Sequence, residues 1–493
     1  MNKAILFFGL LVSAQFAQAS SLSLRDVVKQ AMQGSDYRAI ESSRLSLDAP
    51  YLNSKAPLDI RVNLAATHSN NKSEAQSVFS PEEVVATGVS TGISTYFRTG
   101  TSLSLDLSHN WLDNKYSPAA ARIGLQSITP QEATGRFSIS QSLWKDGFGY
   151  GTRKALGAGA LLAEAANLSY KSSKEDWYMQ VISAYYSLWL AKTQYATAVE
   201  NFTRRERLLK ITKIKLVRGT VEEPDMLQLE SAKIQSEIDL DEAKQRLQDT
   251  WRDITVTFKF DEAWQQKDPT LISIDLEPTV DHAAAICGSD NSVFIPPSRT
   301  LKIEEATIRA DAASLSLQRS QNAMKPDLRL GFTYETNAND LDNKAVWNDV
   351  LSATHPAWTA SLNVSIPLSR YAEKAQTSLA ATELERAEAL SEKTKRTLDV
   401  EWKNACQDLF RLKTATSKLT ISLKGQLTRV SLDENRFKIG RLPVIPVIQT
   451  GDDATRTHFA LQTTNVKYHL SAWRVLKLAG KLETSLDVLK ETK

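Results

Sequence analysis

The chain has 493 residues and a formal net charge of +3, a near-balance that gives no electrostatic case for binding nucleic acid. Length alone would allow two or three domains. Beyond the N-terminal segment no apolar run reaches the roughly 18 residues of a membrane-spanning helix, and two cysteines are too few for a disulfide framework.

Residues 1–19 read as a secretory signal peptide. Lys3 supplies the basic start, Ala4 to Val12 the apolar core, and Ala17-Gln18-Ala19 the small-x-small cleavage site, leaving Ser20 as the first mature residue. The apolar core is too short to span a bilayer, and no cysteine follows the cleavage site to carry a lipid anchor. Ser23-Leu24-Arg25-Asp26 then has the form of a capping box opening a short helix.

A proline opens the first strand segment, after which Ile60, Val62, Leu64 and Ala66 interleave with Arg61, Asn63 and Thr67. An additional stretch follows, with an expected hairpin at about 87–111 turning on Arg98-Thr99-Gly100-Thr101. In it Leu103, Leu105 and Leu107 alternate with Ser102, Ser104, Asp106 and Ser108. Phe137, Ile139 and Leu143 alternate with serines in the last strand of this half. Such a period of two suits a soluble half-buried strand and equally a barrel with lipid outside and water inside. Several such strands in an exported chain with no other sheet to pack on favour the barrel. They are too few to close a wide pore in one chain, so closure needs several protomers. Whether the hairpin enters the wall or stands beside it is left open.

From about Arg153 to Val217 the pattern is helical, interrupted only by early glycines. At 1.5 Å per residue such a helix rises about 100 Å. Arg218-Gly219-Thr220-Val221 forms a turn in which the glycine suits a left-handed C-cap and Asp225 can cap the next helix, about Asp225 to Phe258. A connecting segment, 261–298, carries Pro269, Pro278 and Pro296-Pro297 and also Cys287. That cysteine could pair with Cys406 in an exported protein, with the balance against a bridge.

The second half repeats the order. Pro326 leads Leu328, Leu330, Phe332 and Tyr334. Trp358, Ala360, Leu362, Val364, Ile366 and Leu368 alternate with Thr359, Ser361, Asn363 and Ser365. A helix from about Tyr371 to Ile439, broken only at Gly425, reaches the turn Ile439-Gly440-Arg441-Leu442, and a partner helix runs from about Thr450 to Leu478. Leu412 and Leu419, and Leu423, Val430 and Phe437, keep heptad time. Residues 20–260 and 299–480 are therefore expected to be two tandem repeats, with a tail at 481–493. A cytosolic coiled-coil dimer would lack the signal peptide and the strands.

Six histidines show no metal or protease spacing, and neither a phosphate loop nor a nucleophile elbow appears, so no catalytic, cofactor or metal site is expected. His68 and His109 fall at expected strand ends.

The duplicated order, the Gly-x-hydrophobic turns, the Pro-led strands and the Ser23–Asp26 opening together resemble the TolC family of outer-membrane efflux channels. The resemblance covers essentially the whole mature chain. It implies a homotrimer whose outer-membrane β-barrel continues into a long periplasmic α-helical barrel, in the cell outer membrane of a Gram-negative bacterium. The implied role is the exit duct of a tripartite efflux or type I secretion system, conducting passively. A periplasmic adaptor and an inner-membrane transporter of RND, ABC or MFS type would be its partners, and outer-membrane lipid its surroundings. Gly219, Val221, Gly440 and Leu442 carry over as adaptor contacts at the periplasmic tip, and Asp225 as a gate residue. Pro446 stands where some relatives carry an acidic residue, so Asp452 and Asp453 are candidates for a displaced carboxylate ring, or are simply solvated. The alternatives are a structural periplasm-spanning protein without conduction, and a secreted enzyme with a coiled-coil arm.

Overall fold

The computed structural model describes residues 21–72, 74, 77, 79–124, 129–274, 280–288, 296–297 and 300–491. The expected signal peptide and much of the segment between 275 and 299 lie outside the described residues. In chain order come β1 (Ser21–Leu22), α1 (Leu24–Ala31), α2 (Ser35–Ser43), α3 (Ala49–Lys55), β2 (Arg61–Asn71), β3 (Glu83–Tyr96) and β4 (Thr101–Lys115). Next are α4 (Pro118–Arg122), β5 (Gln131–Ser142), α5 (Tyr150–Val217), α6 (Glu223–Thr257), α7 (Glu262–Gln265), β6 (Ser273–Ile274) and α8 (Val280–Cys287). The chain continues through α9 (Leu301–Ala323), β7 (Asp327–Asp340), α10 (Asn343–Leu351), β8 (Pro356–Ser365), α11 (Tyr371–Lys438), α12 (Val444–Leu478) and α13 (Leu482–Glu491).

The chain divides into two compact units, each assembled from segments of both halves. One contains the sheet, antiparallel in the order β2-β3-β4-β5-β7-β8. The expected hairpin is thus part of the sheet, lying between β2 and β5. The register carries the alternation across every strand. Leu64 faces Thr91, Thr91 faces Leu107, Ile93 faces Leu105, Leu105 faces Phe137, Phe137 faces Tyr334 and Tyr334 faces Trp358. Paired residues share a face, so one face is overwhelmingly apolar. The other holds Asn63, Ser104, Asp106, Arg136, Ser138, Thr333, Glu335, Ser361 and Asn363. On that polar face Arg136 Nε donates to Glu335 Oε2 at 2.7 Å.

Two strand limits differ from expectation. Pro57 sits in a short 3-10 turn, Ala56–Leu58, and the strand begins only at Arg61; Ile366 and Leu368 lie past the end of β8. The second limit falls at Pro367, which has no N–H to give to a ladder. His109 and His68 lie within strands rather than at their ends.

Between β5 and α5 the backbone turns through left-handed conformations at Asp146 (φ 55°), Phe148 (φ 49°) and Gly149 (φ 76°). The Asp146 carboxylate holds the turn, accepting from Tyr96 Oη at 2.8 Å, Thr152 N at 2.8 Å and Thr152 Oγ1 at 2.5 Å. A Cβ on Gly149 would lie 1.8 Å from the Arg98 carbonyl oxygen, so only glycine fits there.

The other unit has an apolar core drawn from α1, α5, α6, α8, α11, α12 and α13. Val181, Ile182, Tyr185 and Leu188 are fully buried, as is Trp473, whose Nε1 donates to Tyr186 Oη at 3.1 Å. The Ser23 capping box forms as expected, with Asp26 N donating to Ser23 Oγ and Ser23 N donating to Asp26 Oδ2, both at 3.2 Å. Cys287 and Cys406 form a disulfide, against the balance of the sequence reading, with Cα atoms 5.7 Å apart. Gly425 does not interrupt α11, because one glycine costs only about 1 kcal/mol in a helix of 68 residues.

Candidate functional site: paired helical turns and a two-faced sheet

The turns after α5 and α11 close with the same hydrogen bonds. Gly219 N donates to Leu216 O at 2.9 Å and Thr220 N to Lys215 O at 3.0 Å. Gly440 N donates to Phe437 O at 3.0 Å and Arg441 N to Arg436 O at 2.8 Å. This Schellman pattern needs a left-handed residue, supplied by Gly219 at φ 69° and Gly440 at φ 80°. Neither glycine has an atom within 4 Å of the Cβ it lacks, so backbone conformation and not packing selects it.

The two helical hairpins pack on one another. Leu208, Leu209, Leu229, Phe437, Val444, Val447 and Ile448, from all four helices, form a buried cluster, against which Leu442 packs while partly exposed. Val221 is half-buried at the first turn. Val217 and Ile439, just before the glycines, stay 89% and 66% exposed, leaving apolar side chains in solvent beside both turns.

Lys215 Nζ donates to the Phe437 carbonyl and lies 4.5 Å from that ring's centroid. The buried Arg205 donates to the Asp452 carboxylate and, at 3.2 Å, to Ile448 O. Arg204 Nε lies 3.8 Å from Glu434 and its Nη2 3.0 Å from Glu200. Gly451 sits beside both guanidinium groups, where a Cβ would make ordinary contact at 3.7 Å from Arg204 Nη1 and 3.8 Å from Arg205 Nη2. Further along the same seam Gln462 Nε2 donates to Thr197 Oγ1 at 2.8 Å. Burial lowers the pKa of His458 beside it, with Glu200 opposing and Arg204 adding to the effect.

The candidate gate residues separate. Asp452 is engaged by Arg205, while Asp453 lies 3.8 Å from Arg456 on its own helix. Asp225 is not a cap. Glu222 is the N-cap of α6, without a side-chain hydrogen bond, and Asp225 lies in the first turn with Glu223, where a carboxylate complements the helix dipole. Sequence reading missed Arg205 and Lys215 as hairpin braces. For Arg205 the available signal was a basic residue on the buried stripe that runs from Asn201 to Leu208.

Among the described residues no group of His, Cys, Asp or Glu is placed to hold a metal ion, and no helix is long and apolar enough to cross a membrane.

Solved structures of bacterial outer-membrane proteins share this chain's fold. The outer-membrane protein VceC of Vibrio cholerae superposes with a TM-score of 0.65 at 13% identity, covering 94% of this chain and 95% of that one. The CmeC outer-membrane channel of Campylobacter jejuni gives 0.65 at 13% identity over 100% and 97% of the two chains. The open state of the MtrE outer-membrane channel of Neisseria gonorrhoeae gives 0.62 at 13%, over 93% and 89%. No protein-family model and no curated protein matches the sequence. The likeness to the TolC-type channels read from the sequence therefore holds at the level of the fold.

Proposed function

We propose that this chain is the outer-membrane exit duct of a tripartite efflux or type I secretion system and conducts passively. The observation that carries the reading is the register of the sheet, which gathers apolar side chains on one face and polar ones on the other across six strands. In a bilayer the first face meets lipid and the second lines water. Strands β2 and β8 are edges with free backbone groups among the described residues, which cannot remain unpaired in lipid. Three copies closing edge to edge would supply about 18 strands, enough for an aqueous channel.

In this reading the tandem halves place their turns together at the periplasmic end. Gly219, Val221, Gly440 and Leu442, with the exposed Val217 and Ile439, offer an apolar surface to a periplasmic adaptor and an inner-membrane transporter of RND, ABC or MFS type. Asp453, and Asp452 when released from Arg205, would line the constriction with Asp225 nearby. Block by divalent cations that is unchanged in Asp452→Ala/Asp453→Ala would remove this gate.

The test of the duct is single-channel conductance of purified protein in planar bilayers, after checking for a detergent-stable trimer. Discrete openings support it. A monomer that never conducts favours a structural periplasm-spanning protein.

A further inference from the structure

On the apolar face of the sheet, near the β7–β8 connection, helix α10 packs over β5 and β7 through Val346 and Val350 against Ala133 and Ala338. Beside it lies a recess of about 580 Å³, lined by Leu64, Val89, Thr91, Leu107, His109 and Trp347. The lining is mostly apolar, with Ser90, Thr91, Ser108 and the His109 imidazole as its polar residues. His109 is only 5% exposed, and neither of its ring nitrogens has a hydrogen-bond partner. Aromatic rings hold it in place, with Trp111 edge-on at 4.4 Å and Trp347 stacked at 5.8 Å.

A buried imidazole with two unmet nitrogens is costly, because each unpaired polar group forfeits its hydration without return. Another imidazole on this face, His68, is exposed and has Thr87 Oγ1 2.9 Å from its Nδ1. His109 stands where the register would place another aliphatic residue, between Val89 and Ala133. The chemistry that relieves it is specific: an imidazole offers one donor and one acceptor, so the occupant must carry both, attached to an apolar body that fills the rest of the recess.

We propose that this recess binds a membrane glycerophospholipid, one acyl chain lying along Leu64, Val89 and Leu107 and the headgroup hydrogen-bonding to His109. The inference rests on the reading of the apolar face as lipid-facing. It goes beyond that reading by naming one specific lipid site on the face. A phosphate or ester oxygen accepts from the imidazole N–H, and a headgroup ammonium or hydroxyl donates to the other nitrogen. Trp111 and Trp347 around the site are the residues expected at headgroup depth, where one end of a ring is apolar and the other wet.

The test is native mass spectrometry of the full chain extracted from bilayers of phosphatidylethanolamine and phosphatidylglycerol, with insertion checked first by conductance. His109→Phe keeps the ring and removes both nitrogens. Val89→Trp fills the recess from the same face, and Val62→Trp, on that face but outside the recess, is the control. Wild type and Val62→Trp are expected to retain one more lipid per chain than the other two, whose retention falls roughly tenfold. Preference for phosphatidylethanolamine identifies the ammonium as the donor, and equal retention of both lipids assigns that role to groups they share; either result supports the site. Equal retention by all four proteins, with normal insertion, overturns the recess alone. Failure to insert or conduct overturns the membrane reading and the site with it.

Discussion

Lys215, whose own carbonyl closes the first Schellman turn, donates to the carbonyl oxygen of Phe437, which also accepts from Gly440 N at 3.0 Å in the second turn. One side chain therefore ties the closure of one hairpin to that of the other, and its ammonium lies 4.5 Å from the Phe437 ring centroid. A charge-assisted hydrogen bond and a partly exposed cation–π contact together contribute about 1–2 kcal/mol. Lys215→Met is expected to lower stability by that amount while keeping the helical content. A chemical-denaturation curve with an unchanged midpoint would show that the brace carries no energy.

The turn glycines predict a graded series. Gly219 and Gly440 have positive φ but open space where a Cβ would go. Alanine at either should cost only the left-handed penalty, about 1–2 kcal/mol, and the double variant about the sum. Gly149 combines φ 76° with a backbone oxygen 1.8 Å from its missing Cβ. Gly149→Ala should prevent accumulation of folded protein. Equal melting temperatures for all three single variants would contradict the distinction.

The legible parts of this fold are those where one physical demand acts on a local run. An apolar and a polar side impose the period of two in Leu103–Ser108, and that run is found as β4. A left-handed C-cap imposes Gly219 and Gly440. The Arg205–Asp452 pair joins residues 247 apart in sequence, and only the antiparallel register of α5 and α12 brings them together. Asp225 was misread for a different reason. Caps are set by where the backbone leaves the extended region, and Glu222, at φ −86° and ψ 159°, is the residue that does so. His109 was expected at a strand end but lies within β4, because a single imidazole on an apolar face carries no periodic signal.

The disulfide was illegible for the same reason as the ion pair, since Cys287 and Cys406 are separated by 119 residues. It fastens α8 to α11 inside the apolar core, where both sulfurs are buried. In the chain-entropy model a loop of this size adds about 4–5 kcal/mol by restricting the unfolded chain. Cys287→Ser/Cys406→Ser should melt well below wild type, and denaturing wild type with a thiol reductant present should give nearly the same midpoint. Wild type and variant melting together without reductant would mean that the bridge adds nothing.

Acid should weaken the helical unit through His469. This side chain is 8% exposed and stacks on Tyr186 with 5.5 Å between ring centroids, and its Nδ1 has no hydrogen-bond partner. Burial disfavours the charged ring and pulls its pKa from 6.5 down to about 4. Above pH 6.5 the ring is neutral whether the chain is folded or not. Between 6.5 and about 4 the unfolded chain binds a proton that the folded one refuses, so stability falls as pH falls. At 1.4 kcal/mol per pH unit the loss approaches about 3 kcal/mol, complete below the folded pKa. His458, shifted in the same direction by burial, adds a smaller slope of the same sign. His469→Phe keeps an aromatic ring against Tyr186 while removing both the titration and the unpaired nitrogen. Urea midpoints measured from pH 7.5 to 4 should drop steeply for wild type and more shallowly for the variant, and parallel curves would place the acid sensitivity elsewhere.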